Sequence, residues 1–212
     1  MHLIQFLDEQ GRRAVAVTQG DVTSTVTGAT RVYDLAMEAA ERGLSLRAVI
    51  IEKGLGHKVD KAAIAAQSRL LPPIDHPDAA HLYVTGTGLT HLGSASTRDA
   101  MHKSDQAAAE APLTDSMKMF RMGIEGGKPK PGEEGVQPEW FYKGNGHIVA
   151  KPGAPIPSPA FAKDAGEEPE MAGIYVISDK GAPFRIGFAV ANEFSDHVTE
   201  RVNYLYLAHS KL

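Results

Sequence analysis

Three carboxylates in this chain are spaced so that they could act together. Glu168 and Glu170 lie two apart, so an extended strand turns both to one face. Glu193 closes the next apolar run, Ile186 to Phe194. Ser178-Asp179-Lys180-Gly181 between the runs is a turn signal. In an antiparallel hairpin centred near Lys180–Gly181, Glu193 falls opposite Glu168 to within a residue of register. Carboxylates gathered at one strand end repel one another unless a cation or donors compensate them. Hard oxygen donors of this kind select magnesium, manganese or calcium over zinc. The ordinary alternative is that these glutamates ring a solvated strand edge.

The elements that must position these groups are legible from pattern. HLIQFLD and RRAVAVTQ alternate in the period of strands around the turn EQGR, which predicts a β-hairpin and a short third strand within residues 2–28. Val32, Leu35, Ala36, Ala39 and Ala40 recur at helical spacing, with Gly43 as the stop. A second helix is predicted from Leu46 to Lys53, closed by Gly54. The proline-rich LLPPIDHPD marks a joint, giving a small α+β N-terminal domain over 1–72 and a larger domain over 73–212. HLYVTGTGL reads as a buried strand, SASTRDAMHKSDQAAAEA as helical, and the Gly- and Pro-rich residues 124–139 as a long loop. The runs after Trp140 are short, apolar and separated by turns, which argues for a sandwich or barrel. The strands around Tyr175 and Phe188 are apolar on both faces and are expected to be buried on both.

Composition removes several classes. The chain has 212 residues, a formal net charge of -4 and no run of Lys or Arg, so nucleic-acid binding is not expected. Cysteine is absent, which excludes disulfides and thiolate metal sites and fits a reducing compartment. The N-terminus reaches Asp8 and Glu9 too early for a signal peptide, and no stretch approaches the roughly 18 apolar residues of a membrane span. The expectation is a soluble cytoplasmic protein.

Taken in order, TGTGLTHLGSA, WFYKGNGHIVAKPGAPIPSP, EEPEMAGIYVIS, GFAVANEFSDHVTER and HSKL resemble the fumarylacetoacetate hydrolase superfamily over most of residues 70–212. THLGSA and DSMKMFRMGIEGGKP are similar to its bacterial sugar-acid branch, the 2-keto-3-deoxyarabonate dehydratase-like proteins. The resemblance implies a mixed β-sandwich roll behind the N-terminal domain, a homodimer, and a 2-oxo acid substrate chelating Mg2+ or Mn2+. It places the metal on Glu168, Glu170 and Glu193, the last standing where the family has aspartate. Lys143 and Lys211 match the two substrate-associated lysines, against the bland reading of both as surface lysines. The family's His-Glu pair is absent, with Ser94 and Thr97 at its positions. His91 and His102 are therefore the catalytic candidates, with Asp99 behind them. Ser94, Ser116, Lys118 and Arg121 are candidate substrate contacts, the last three on a loop over 113–139. Family chains continue past the second lysine, whereas this one stops at Leu212, so an incomplete catalytic domain with open strand edges is expected.

The reaction implied is metal-dependent dehydration of a 2-keto-3-deoxy sugar acid through a metal-stabilised enolate. The alternatives are C–C bond hydrolysis of a 2,4-dioxo acid, decarboxylation or tautomerisation through the same enolate, and a catalytically inactive binding homologue.

Overall fold

The computed structural model describes residues 1–87, 115–136, 140–202 and 206–212. The architecture is α+β, and the described strands form one four-stranded and two two-stranded sheets. The chain makes two compact units. The first comprises Met1–Leu82, Asn145–Pro157 and Pro169–Asn192, and the second Tyr83–Gly144, Ser158–Glu168 and Glu193–Leu212. No helix among the described residues is long and apolar enough to cross a membrane.

In the first unit, β1 (His2–Leu7), β2 (Arg13–Gln19), β3 (Val22–Val26) and β4 (Leu55–Lys58) form an antiparallel sheet in sequence order. Gln19 pairs with Val22, so Gly20 and Asp21 alone make the β2–β3 turn, and Gly20 takes the positive φ of 58° that such a turn requires. Val15 and Val17 of β2 face a core of Val26, Val32, Leu35, Ala39, Val49 and Ile50. This core is supplied by α1 (Val32–Arg42) and α2 (Leu46–Lys53), the two helices predicted. Ala16, between those valines, turns to the opposite face and packs with Phe6 and with Ile64 of α3 (Lys61–Ala66). The alternation of β2 thus feeds two apolar layers.

Helix α1 begins on Arg31, whose side chain provides no cap. Gln5 of β1 takes that role from a distance. Its Oε1 accepts from the Val32 N–H at 2.7 Å, while its Nε2 donates to the Pro72 carbonyl at 2.7 Å, and the side chain is fully buried. A buried amide with both ends committed ties strand, helix and the 70s segment together.

The loop expected over 113–139 is corrected in its first half, where α4 (Asp115–Gly126) is helical. Met117, Phe120, Gly123 and Gly126 are less exposed than most of their neighbours and recur every third residue. The two glycines, poor helix formers, hide this face in the sequence. Val136 folds back on the helix end, its N–H bonding the Gly126 carbonyl at 3.0 Å.

Four further strands form two-stranded sheets: β5 (Tyr83–Thr87) pairs with β6 (Trp140–Asn145), and β7 (Gly166–Ile177) pairs with the thirteen-residue β8 (Pro183–Ser195). The predicted turn joins the second pair, closed by the Ser178 N–H on the Ala182 carbonyl at 2.9 Å. The expected burial of both faces is corrected. Val176 is buried, but Met171, Tyr175 and Ile177 on the other face of β7 are exposed, as are Phe188 and Val190 of β8. β5 is likewise mostly exposed, Tyr83 included. Apolar character on both faces signals burial only when a layer covers each, and the described residues cover one.

Replacing Gln5 by Leu orphans the Val32 N–H in the core. We expect a loss of about 1–3 kcal/mol in urea unfolding with the denaturant slope unchanged.

Candidate active site

The site is assembled in the second unit from chain ends of regular elements. β7 enters through Gly166–Glu168, and β8 leaves through Glu193–Ser195. Asp196 then starts the single-turn helix α5 (His197–Glu200). Its carboxylate, 2 % exposed, accepts from the Thr199 N–H at 3.0 Å, the Thr199 hydroxyl at 2.7 Å and the Lys163 N–H at 2.9 Å. Burial alone pushes Asp196 up, but the backbone donors of Lys163 and Thr199, the Thr199 hydroxyl and the Val198 N–H outweigh it and bring its pKa down to about 2.

The chain returns so that Lys211 bridges Ser195 in antiparallel fashion, with Asp196 N–H bonding the Ser210 carbonyl at 2.8 Å and Leu212 N–H the Phe194 carbonyl at 2.9 Å. This pairing points the Lys211 side chain inward, and only 5 % of it remains exposed. Its ammonium lies 2.8 Å from Glu193 Oε2, 3.2 Å from Glu168 Oε1 and 3.7 Å from Glu200 Oε2, and donates to Ser195 Oγ at 3.1 Å. Lys143 of β6 pairs with the other oxygen of Glu193, and both side chains are nearly buried. Its stem passes over Gly86 of β5, where an added Cβ would overlap both the Phe141 ring and the Lys143 side chain.

His197 stands on the far side of Glu168. Its Nε2 is 3.1 Å from Glu168 Oε1 and its Nδ1 3.2 Å from Asp164 Oδ2. The ring lies directly against Gly166, leaving no room for a Cβ there. Burial pushes the Glu168 carboxyl up, but the Lys211 charge, hydrogen bonds from Ser195 and Lys211, and His197 prevail, and its pKa sits below the ordinary glutamate value. An ionised carboxylate is a hard oxygen donor of the kind that divalent cations take.

Of the expected residues, Glu168, Glu193, Lys143 and Lys211 are brought together. Glu170 follows Glu168 on β7 with the same side-chain parity, in the portion of the strand that belongs to the first unit. Lys118 and Arg121 occupy exposed positions on α4, and Ser116 lies in its first turn. His91, Ser94, Thr97, Asp99 and His102 lie outside the described residues. Sequence reasoning missed His197, Glu200 and Asp164. The signal for the first two was present in SDHVTE: a helix-capping Asp followed by His and Glu three apart, hence on one side of a turn. Asp164 carries no such signal, because its role depends on where His197 ends up.

No family model and no curated protein matches the chain. Solved structures do. The fold is that of 2-keto-3-deoxy-D-arabinonate dehydratase. The apo form of that enzyme matches with a TM-score of 0.58 at 18% identity, and a hexagonal crystal form with 0.58 at 19%. Its complex with magnesium and 2,5-dioxopentanoate matches with 0.57 at 18%. Each match covers 100% of this chain but 61% of the dehydratase, so the chain spans under two thirds of the proteins whose fold it shares.

Asp196 is depressed from 3.8 to about 2, so the stability it provides is present above pH 4 and disappears as pH falls through about 2. We expect Asp196→Ala to cost about 1–2 kcal/mol at neutral pH, as for loss of a helix cap. The gap to the unaltered protein should close between about pH 4 and 2 in urea melts, whereas a gap independent of pH would deny the carboxylate this role.

Proposed function

We propose that this chain is a divalent-metal-dependent lyase acting on a 2-oxo acid, and that its reaction is dehydration of a 2-keto-3-deoxy sugar acid. The observation that carries this reading is the convergence of Glu168 and Glu193 with Lys143 and Lys211. The fold shared with a sugar-acid dehydratase, one of whose structures holds magnesium, supports the same direction.

The charge balance is informative. Glu168, Glu193 and Glu200 bring three negative charges and Lys143 and Lys211 two positive ones, which leaves one negative charge before His197 and Asp164 are counted. Such a surplus attracts a dication. The carboxylates fit Mg2+ or Mn2+, with Glu168 central and Glu170 and Glu193 as its partners in the set read from sequence. A cation held there would act as a Lewis acid towards the 2-oxo-carboxylate. Lys143 and Lys211, which their carboxylate neighbours keep in place, offer N–H donors to the negative charge that develops when C3 loses its proton. Dehydration also needs that proton to be taken up and another given to the departing hydroxyl at C4. His91 and His102 are the groups we assign to those transfers, and Ser94, Ser116, Lys118 and Arg121 to substrate recognition.

A homodimer belongs to the same reading. It is supported by Met171, Tyr175, Ile177, Phe188 and Val190, which leave apolar area open on one sheet. Light scattering at tens of micromolar that returned a clean monomer would remove it.

The function is tested by incubating the protein with 2-keto-3-deoxy sugar acids and Mg2+ and identifying products by mass. We expect a product lighter by one water, and Lys143→Met should lower kcat about 100-fold, as expected for loss of a charge-stabilising donor. Release of two acids from a 2,4-dioxo acid, with no water lost from the sugar acids, would replace dehydration by C–C hydrolysis. Turnover unchanged in Lys143→Met would remove that lysine from the chemistry.

A further inference from the structure

The Glu168 carboxylate is oriented by groups from other segments of the chain. Its Oε1 lies 3.1 Å from His197 Nε2 and 3.2 Å from the Lys211 ammonium. Lys211 divides itself among Glu168, Glu193 and Glu200. The imidazole turns its other nitrogen, Nδ1, to Asp164 Oδ2 at 3.2 Å. Both partners of the ring are carboxylates, which only accept, so both bonds form when each nitrogen carries hydrogen. A nitrogen that donates to Glu168 has no lone pair for a cation, which sets His197 beside the proposed carboxylate set and not within it.

Three features fix the ring. Asp164 Oδ1 accepts from the Ala165 N–H at 2.7 Å, which steadies the carboxylate behind Nδ1. Asp196 caps α5 and so sets His197 at the first position of that turn. Gly166 gives up its Cβ at the place where the ring lies. Its backbone is outside the left-handed region, so the chain itself does not require glycine there, and space for the imidazole is what this glycine provides.

We infer that His197 is a positioning residue: braced by Asp164 and seated against Gly166, it orients the Glu168 carboxylate for the cation without ligating that cation. This rests on the metal dependence proposed above, in which Glu168 is central. A hydrogen-bond partner behind a ligating carboxylate holds its orientation, and losing such a partner weakens metal binding about 10–100-fold. The charge of the ring acts in the opposite sense, because a cation beside the site repels a dication. Variants matched in charge separate the two effects.

The test is calorimetry of Mn2+ binding to the full chain. Gly166→Ala alters no charge but crowds the ring, and should weaken Mn2+ binding about 10–100-fold. Once His197→Ala has removed the ring, adding Gly166→Ala should change the affinity by less than about two-fold, because the two sites act through one contact. His197→Gln and His197→Asn keep the test open if Gly166→Ala misfolds. Both remove the ring and its charge, but the Gln amide reaches the place of Nε2 and the Asn amide only that of Nδ1. Gln should therefore bind Mn2+ about 10-fold more tightly than Asn. Electron spin echo modulation of the bound Mn2+ should show no directly coordinated nitrogen. Equal affinities in the Gln and Asn variants, a Gly166→Ala effect that is absent or that persists without the ring, or nitrogen bonded to Mn2+ overturns the inference and leaves metal dependence standing. An unaltered chain that takes up neither Mn2+ nor Mg2+ overturns both.

Discussion

The ammonium of Lys211 is the interaction on which the second unit depends. Three glutamates approach one point from β7, β8 and α5, and without a cation their mutual repulsion would drive them apart or force protons onto them. Lys211 meets all three and is itself almost fully withdrawn from water. A withdrawn ammonium is tolerated only with good geometry and enough acceptors, and this one has three carboxylates and the Ser195 hydroxyl. Lys143 completes the balance from the other oxygen of Glu193.

Backbone pairing makes that arrangement possible. A lysine next to a chain end would ordinarily fray. Here the bridge to Ser195, with hydrogen bonds on either side of it, fixes the direction in which the side chain leaves. The single turn of α5 is too short to stand by propensity, and the buried Asp196 carboxylate holds its N-terminus through the Thr199 N–H and hydroxyl while also accepting from the Lys163 N–H. That turn sets His197 and Glu200 on one side. Gly166 supplies the space, so a missing methyl group on β7 decides where the imidazole stands.

The first unit follows another economy. Its sheet is covered on both faces by apolar layers, and its fully buried Gln5 is satisfied at both ends of its amide. Hydrophobic alternation there does most of the specifying, whereas in the second unit charge pairing does.

That difference explains what was readable in advance. β1 to β3, α1 and α2 follow from local pattern and turn chemistry, down to Gly43 in its left-handed conformation. The hairpin that brings Glu168 near Glu193 follows from alternation and a turn signal. Helix α4 was hidden by its glycines, which are poor helix formers. The exposure of Phe188 and Val190 could not be read, because an apolar strand does not state whether a second layer covers it. The sequence by itself determined β1 to β3, α1, α2 and the β7–β8 hairpin that brings two glutamates on neighbouring strands together. Only the tertiary structure decided that Lys211 neutralises them and that His197, backed by Asp164, faces Glu168. Those contacts join residues 16 to 43 positions apart, and their energies depend on burial and distance, neither of which is a property of any local stretch of chain.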